Sequence, residues 1–201
     1  MTRVATALLV VAGLLGAGTA YAQEPRATEG PVAVTIIPGG ATFLTEGKNS
    51  SGPSFGNYDL GAAVVGNFNR YVGVEGEITG ALGISQTLNG FTADVRTPHL
   101  LNYTGNLVVS IPNGSAVTPY VTGGVGGLSL FQKEDLGIGT TDTFLTGNAG
   151  AGVKWYAGRW GLRFDYRFIA VRAKDDAPNF FGQETRYAHR LYGGVLLNIG
   201  R

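Results

Sequence analysis

"KWYAGRWGLRFDYRFIAV", residues 154–171, sets two chemistries against each other at single-residue spacing. Arg163, Asp165 and Arg167 are interleaved with Leu162, Phe164, Tyr166 and Phe168. Successive side chains of an extended strand point to opposite faces, so the stretch reads as a strand with one ionic and one apolar face. What the fold turns on is which solvent each face meets.

The same period of two recurs along the chain, and no sustained 3.6-residue pattern competes with it. Leu60, Ala62, Val64, Gly66 and Phe68 alternate with positions that include Asp59 and Asn67. Val72, Val74 and Ile78 alternate with Glu75, Glu77 and Thr79. Leu101, Tyr103, Leu107, Val109 and Ile111 alternate with Asn102, Thr104, Asn106 and Ser110. Leu145, Ala149, Ala151, Val153 and Trp155 alternate with Thr146, Asn148 and Lys154, while Leu191, Val195, Leu197 and Ile199 alternate with Arg190, Tyr192 and Asn198. With 32–44, 118–131 and the quoted stretch, eight strands are expected.

Their connections alternate in length. Asn69-Arg70-Tyr71, Pro112–Val117 with its Asn113-Gly114, and Ala157-Gly158-Arg159 are tight turns; the stretches 45–57, 83–97, 132–143 and 170–185 are long and polar. An up-and-down meander with tight turns at one end and long loops at the other follows.

A barrel of two-faced strands can be oily inside, as in a lipocalin, or oily outside, as in a membrane. Strands of ten or more residues match the roughly 9–11 that a tilted spanning strand needs. Aromatics gather where strands meet tight turns: Phe68, Tyr71, Trp155, Tyr156 and Trp160, the arrangement of an interfacial girdle. Lysine is scarce (Lys48, Lys133, Lys154 and Lys174), whereas a soluble outer face is normally rich in it. Arg163 and Arg167 facing hydrocarbon would each cost about 2–4 kcal/mol at mid-depth, a large part of a net stability of about 5–15 kcal/mol. The ionic set therefore turns inward, where Glu75, Glu77, Lys154, Arg163, Asp165, Arg167 and Arg190 can pair. Backbone groups in lipid leave no edge only if the sheet closes. The expected fold is all-β, an eight-stranded antiparallel up-and-down transmembrane barrel.

The N-terminus reads as a secretory signal. Arg3 precedes a fifteen-residue apolar run, Val4 to Gly18, too short for a spanning helix of about 20 residues. Ala20-Tyr21-Ala22 supplies the small-x-small cleavage pattern. Residues 1–22 are thus expected to be removed, leaving one barrel domain over 23–201 whose 14 basic and 14 acidic residues balance. No basic excess points to nucleic acid, and the absence of cysteine excludes disulfides and thiolate chemistry. Only 14% of residues are charged and 33 are glycine, unusual for a soluble surface.

Three segments carry a family resemblance. "GNAGAGVKWYAGRWGLRFDYRFI" (147–169) resembles the penultimate hairpin of small outer-membrane β-barrel proteins of the OmpA-like and OmpX-like kind. "VTPYVTGGVGGLSL" (117–130) resembles their fifth strand and "HRLYGGVLLNIG" (189–200) their closing strand. The resemblance extends over about 32–199. It implies a bacterial outer-membrane location, outer-membrane lipid and lipopolysaccharide as surroundings, and the barrel-assembly machinery as a partner during insertion. Two departures stand out: no peptidoglycan-binding domain follows the barrel, and the chain ends Ile199-Gly200-Arg201 without the family's terminal aromatic.

Within such a barrel, the inward ions could line a narrow gated pore or form a paired polar core. Eight strands leave an interior just wide enough for side chains to fill, which favours the core. The glycine runs 123–127 and 147–152 lie within strands, without the strand–turn–helix context of a phosphate loop, and read as sites of close packing. His99 and His189 are the two histidines. Some barrels of this size modify lipid A with a histidine and a serine or carboxylate; here Asp94 and Glu184 are the nearest candidates and no His-x-Ser spacing occurs. The loops are the place for an extracellular ligand, "AKDDAPNFFGQE" (173–184) with Phe180-Phe181 foremost. Neither cofactor nor metal is indicated. The expected role is structural, adhesive or interactive at the cell surface. A lipid A-modifying enzyme and a soluble periplasmic ligand-binding barrel are the alternatives.

Overall fold

The computed structural model describes residues 29–45, 54–88, 94–131, 141–173 and 185–200. The expected signal, residues 1–22, lies outside them, as do the centres of the long connections, including Phe180, Phe181 and Glu184. The chain forms β1 (Val32–Leu44), β2 (Phe55–Asn67), β3 (Val72–Leu82), β4 (Ser85–Thr87), β5 (Asp94–Arg96), β6 (His99–Ser110), β7 (Val117–Phe131), β8 (Thr141–Ala157), β9 (Trp160–Val171) and β10 (Arg186–Ile199). Eight of these close a barrel in the order β1-β10-β9-β8-β7-β6-β3-β2, every neighbouring pair antiparallel.

Strand parity decides the wall. Along β9, Arg163 is 0% exposed and Phe164 56% exposed, and the alternation runs from Trp160 to Val171. Leu162, Tyr166 and Phe168 share the outside with Phe164, while Asp165 and Arg167 share the inside with Arg163. Tight connections meet the expectation: residues 158–159 join β8 to β9, with Gly158 at φ +65°, a left-handed conformation that glycine adopts without a Cβ clash.

Two features of the wall were not legible in the period-two pattern. The stretch 32–44 is one strand, but its register slips between Ile36 and Gly39 against β10 and between Ile37 and Ala41 against β2. Pro38 lies in the slip and has no N–H to give the ladder; its carbonyl accepts the Tyr58 hydroxyl at 2.8 Å. The second feature is a small hairpin, β4–β5, inside the connection read as loop. It returns to the rim, where the Gln86 amide accepts the Gly56 N–H at 3.1 Å and donates to the Gly56 carbonyl at 2.7 Å, in place of a strand partner. Leu88 and Val95 from this connection then pack over the barrel mouth.

The interior has two main layers. Through the middle it is ionic, as its sequence parity implies, with a small apolar group of Ala33, Val65, Tyr156 and Leu196 at the tight-turn end. Towards the long connections it is apolar: Leu44, Phe55, Leu100, Leu130, Phe144 and Val171 form one buried cluster. Between the layers, bordered by Thr42, Leu100, Asn102, Ile169 and Arg190, remains an enclosed cavity of about 10 Å³. That is room for about one water.

Candidate functional site: the ionic lumen

Long side chains from opposite walls meet across the barrel axis. Arg163 on β9 donates Nη1 to Glu75 on β3, Nη2 to Asp165 Oδ2 at 2.8 Å and Nε to the Tyr120 hydroxyl at 2.7 Å. Arg167, one inward step along β9, donates Nη2 to Glu75 Oε1 at 2.6 Å and Nε to Asp165 Oδ1 at 3.0 Å. The same Nη2 is 3.2 Å from Glu77 Oε2. Arg190 on β10 donates to Glu77, which also accepts the Tyr192 hydroxyl at 3.0 Å. Charge-assisted bonds of this kind are short and directional, and each carboxylate here bridges more than one donor.

Room for these groups comes from β8. Gly150 stands opposite Arg167 and Gly152 opposite Asp165 in the ladder, both on the inward parity. A Cβ on Gly152 would sit 2.4 Å from the Tyr120 hydroxyl, and one on Gly150 3.0 Å from Arg167 Cγ. The inward glycines of "GNAGAG" thus clear space for arginine and tyrosine from the neighbouring strands.

Six of the seven ions singled out in the sequence lie in this cluster; Lys154 pairs elsewhere. Its Nζ is 2.5 Å from Glu29 Oε1, at the tight-turn end. Tyr156 also donates to Glu29, and Ser110 Oγ reaches Glu29 Oε2 at 3.3 Å. Sequence reasoning missed Glu29, because it precedes the first strand and has no parity to place it. Also missed as partners were Tyr120, Tyr192 and Asn106, whose Nδ2 donates to Glu75 Oε1 at 3.1 Å. Their inward parity was available; the buried charges opposite them were not. Asp59 is held separately by Thr42 Oγ1 at 2.7 Å.

The aromatic set needs one correction. Phe68, Tyr71, Trp155 and Trp160 are exposed on the outer wall, but Tyr156 is only 3% exposed and lies inside. Its neighbour Trp155 takes the outward position, and strand alternation forces Tyr156 to the other face. There its ring packs with Ala33, Val65 and Leu196 while its hydroxyl reaches Glu29. A second outward aromatic group, unread in the sequence, lies towards the long connections. Phe168 stacks on Tyr187 at 5.4 Å, and Phe43, His189 and Phe168 share one ladder row.

The histidines do not converge. His189 on β10 pairs its Nδ1 with the Tyr166 hydroxyl at 2.8 Å on the outer wall. His99 on β6 accepts the Gly83 N–H at 3.2 Å, and β6 stands four places from β10 in the ring of eight. Asp94 accepts Thr87 Oγ1 at 2.7 Å within the rim hairpin.

An apolar outer wall, a closed ladder and an ionic interior define a transmembrane β-barrel. The chain belongs to the outer membrane protein beta-barrel domain family, whose model matches residues 7–186. It is thus a bacterial outer-membrane barrel. Its fold is similar to that of Neisserial surface protein A, with a TM-score of 0.60 at 13% identity over 84% of this chain and 97% of that one. It is also similar to Ail, the attachment invasion locus protein of Yersinia pestis, solved in complex with the heparin analogue sucrose octasulfate. There the TM-score is 0.52 at 15% identity, over 84% of this chain and 99% of that one. Comparison with curated proteins gave no significant match.

Proposed function

We propose that this protein is a closed, lumen-filled barrel that acts as a structural and interaction element of the outer membrane and meets its ligands through its long surface connections. The observation that carries this reading is the bridging of the lumen by Arg163, Arg167 and Glu75 beneath an apolar cap. A continuous water path would need both layers to part, breaking buried ion pairs in one and exposing apolar surface in the other. The seven inward ions act, in this reading, as a paired core that fixes strand register, and Phe68, Tyr71, Trp155 and Trp160 act as the girdle at the tight-turn interface. The contacts of His99 Nδ1 with the Gly83 N–H and of His189 Nδ1 with the Tyr166 hydroxyl, rather than with a serine or carboxylate, support a non-enzymatic role. Export by removal of residues 1–22, insertion by the barrel-assembly machinery and contact with lipopolysaccharide belong to the same proposal.

Planar-bilayer recording tests the closed lumen. Steady single-channel conductance from the purified protein would overturn it, and silence is the expected result. Deleting the long connections one at a time and measuring cell-surface binding tests the second half; binding that survives all four deletions sinks the loop assignment.

A further inference from the structure

Lys154 is 0% exposed, and among the described residues the one acid within ion-pair distance of it is Glu29. Every other buried base–acid contact described above joins side chains of the barrel strands. This one joins a strand to the segment that precedes the barrel. The Glu29 carboxylate receives the ammonium at 2.5 Å, the Tyr156 hydroxyl, and Ser110 Oγ at 3.3 Å, so three donors from β8 and β6 converge on one acid.

The backbone around Glu29 is held from the side. Asn67 Nδ2 donates to the Gly30 carbonyl at 2.8 Å, Asn67 N to the Pro31 carbonyl at 2.8 Å, and Gly30 N to Asn198 Oδ1 at 3.3 Å. Two asparagines, from β2 and β10, thus dock the segment across the end of the lumen. Short turns mark the periplasmic end of outer-membrane barrels, so the acid enters from that side. Without it, Lys154 would be a desolvated ammonium facing Tyr120, whose ring it overlies at 5.0 Å, and buried unpaired charge is strongly unfavourable.

We infer that Lys154, Tyr156 and Ser110 form a carboxylate-binding site at the periplasmic end of the lumen, filled in cis by Glu29 as a stopper. The site takes a carboxylate because it offers one ammonium and two hydroxyl donors to one acceptor group. Lys154 stands opposite Arg163 in the β8–β9 ladder and both overlie Tyr120, but the Arg163–Glu75 ion pair does not involve Glu29; conductance tests the closed-lumen reading, and lysine chemistry tests this one.

The test is amine acetylation of the full chain folded in detergent, read by mass spectrometry at each lysine. Lys48, Lys133 and Lys174, all from the long connections, serve as references. In the wild type, Lys154 is expected to react at least about tenfold more slowly than the references, since its modification requires local opening. Glu29→Ala should raise the Lys154 rate by about tenfold or more, and sodium acetate, but not sodium chloride at equal ionic strength, should slow it again. Should Glu29→Ala fail to fold, the double variant Glu29→Ala/Lys154→Met, which removes both charges, should regain the heat-modifiable folded form. Fast labelling of wild-type Lys154, unchanged protection in Glu29→Ala, equal protection by chloride, or a double variant as unfolded as the single one would each overturn the assignment.

Discussion

Arg163 and Glu75 are hydrogen-bonded although their strands, β9 and β3, stand diametrically opposite in the ring of eight. Two side chains therefore bridge the whole bore. Arg167 bridges it again one inward step away, reaching Glu75 Oε1 at 2.6 Å. Glu75 is the carboxylate that both guanidiniums of β9 reach from the opposite wall, so its loss removes the ion pair across the bore made by Arg163 and one of those made by Arg167.

Glu75→Ala is expected to destabilise the folded barrel by about 3–5 kcal/mol, the range for removing one partner of a buried ion pair. Urea unfolding in lipid vesicles, followed by the heat-modifiable gel shift, measures it. Glu75→Gln should fall between the two, because it keeps one acceptor oxygen. A Glu75→Ala protein as stable as the wild type would show that the bridge contributes nothing.

The outer face of β9 gives a second expectation. Phe164→Arg places a guanidinium where the wall is 56% exposed to acyl chains, at a cost of about 2–4 kcal/mol at mid-depth. Phe164→Leu keeps the face apolar and should cost less than about 1.5 kcal/mol. Refolding yields into vesicles separate the two; equal yields would mean that this face does not meet lipid.

Glycines of β8 should divide by face. Gly152→Val brings a side chain onto the Tyr120 hydroxyl, where even a Cβ would stand 2.4 Å away, and overpacking of this kind costs about 1–3 kcal/mol. Gly147→Ala points to open space, with no atom within 4 Å of the added carbon, and should be neutral. Thermal transitions of the two variants in detergent provide the comparison, and a reversed order would place the inward face on the wrong parity.

Trp155 and Trp160 are the chain's two tryptophans, both outward at the tight-turn end. Their fluorescence in vesicles should be quenched more by bromines near the headgroup than by bromines near the bilayer centre, because interfacial aromatics sit at headgroup level. Stronger quenching from the centre would move the girdle away from the interface.

How far the site could be read in advance follows from the same geometry. Parity separates Arg163 from Phe164 because the two chemistries alternate without interruption there. It fades at Phe168-Ile169-Ala170-Val171, where four apolar residues in a row hide that Ile169 and Val171 continue the inward face. The apolar cap was missed for that reason. Tyr156 departs from the girdle for another reason: it neighbours Trp155 along the chain, but adjacent strand residues face opposite ways.

Local alternation and turn chemistry alone determined that this chain makes eight two-faced strands with the ions on one side, because side-chain direction in a strand depends only on its neighbours in sequence. Which ions meet, where the interior turns apolar, and that Glu29 enters the lumen were decided by barrel closure. Closure sets opposite strands within side-chain reach and brings a residue from before the first strand to the end of the sixth and eighth, a relation that no spacing along the chain encodes.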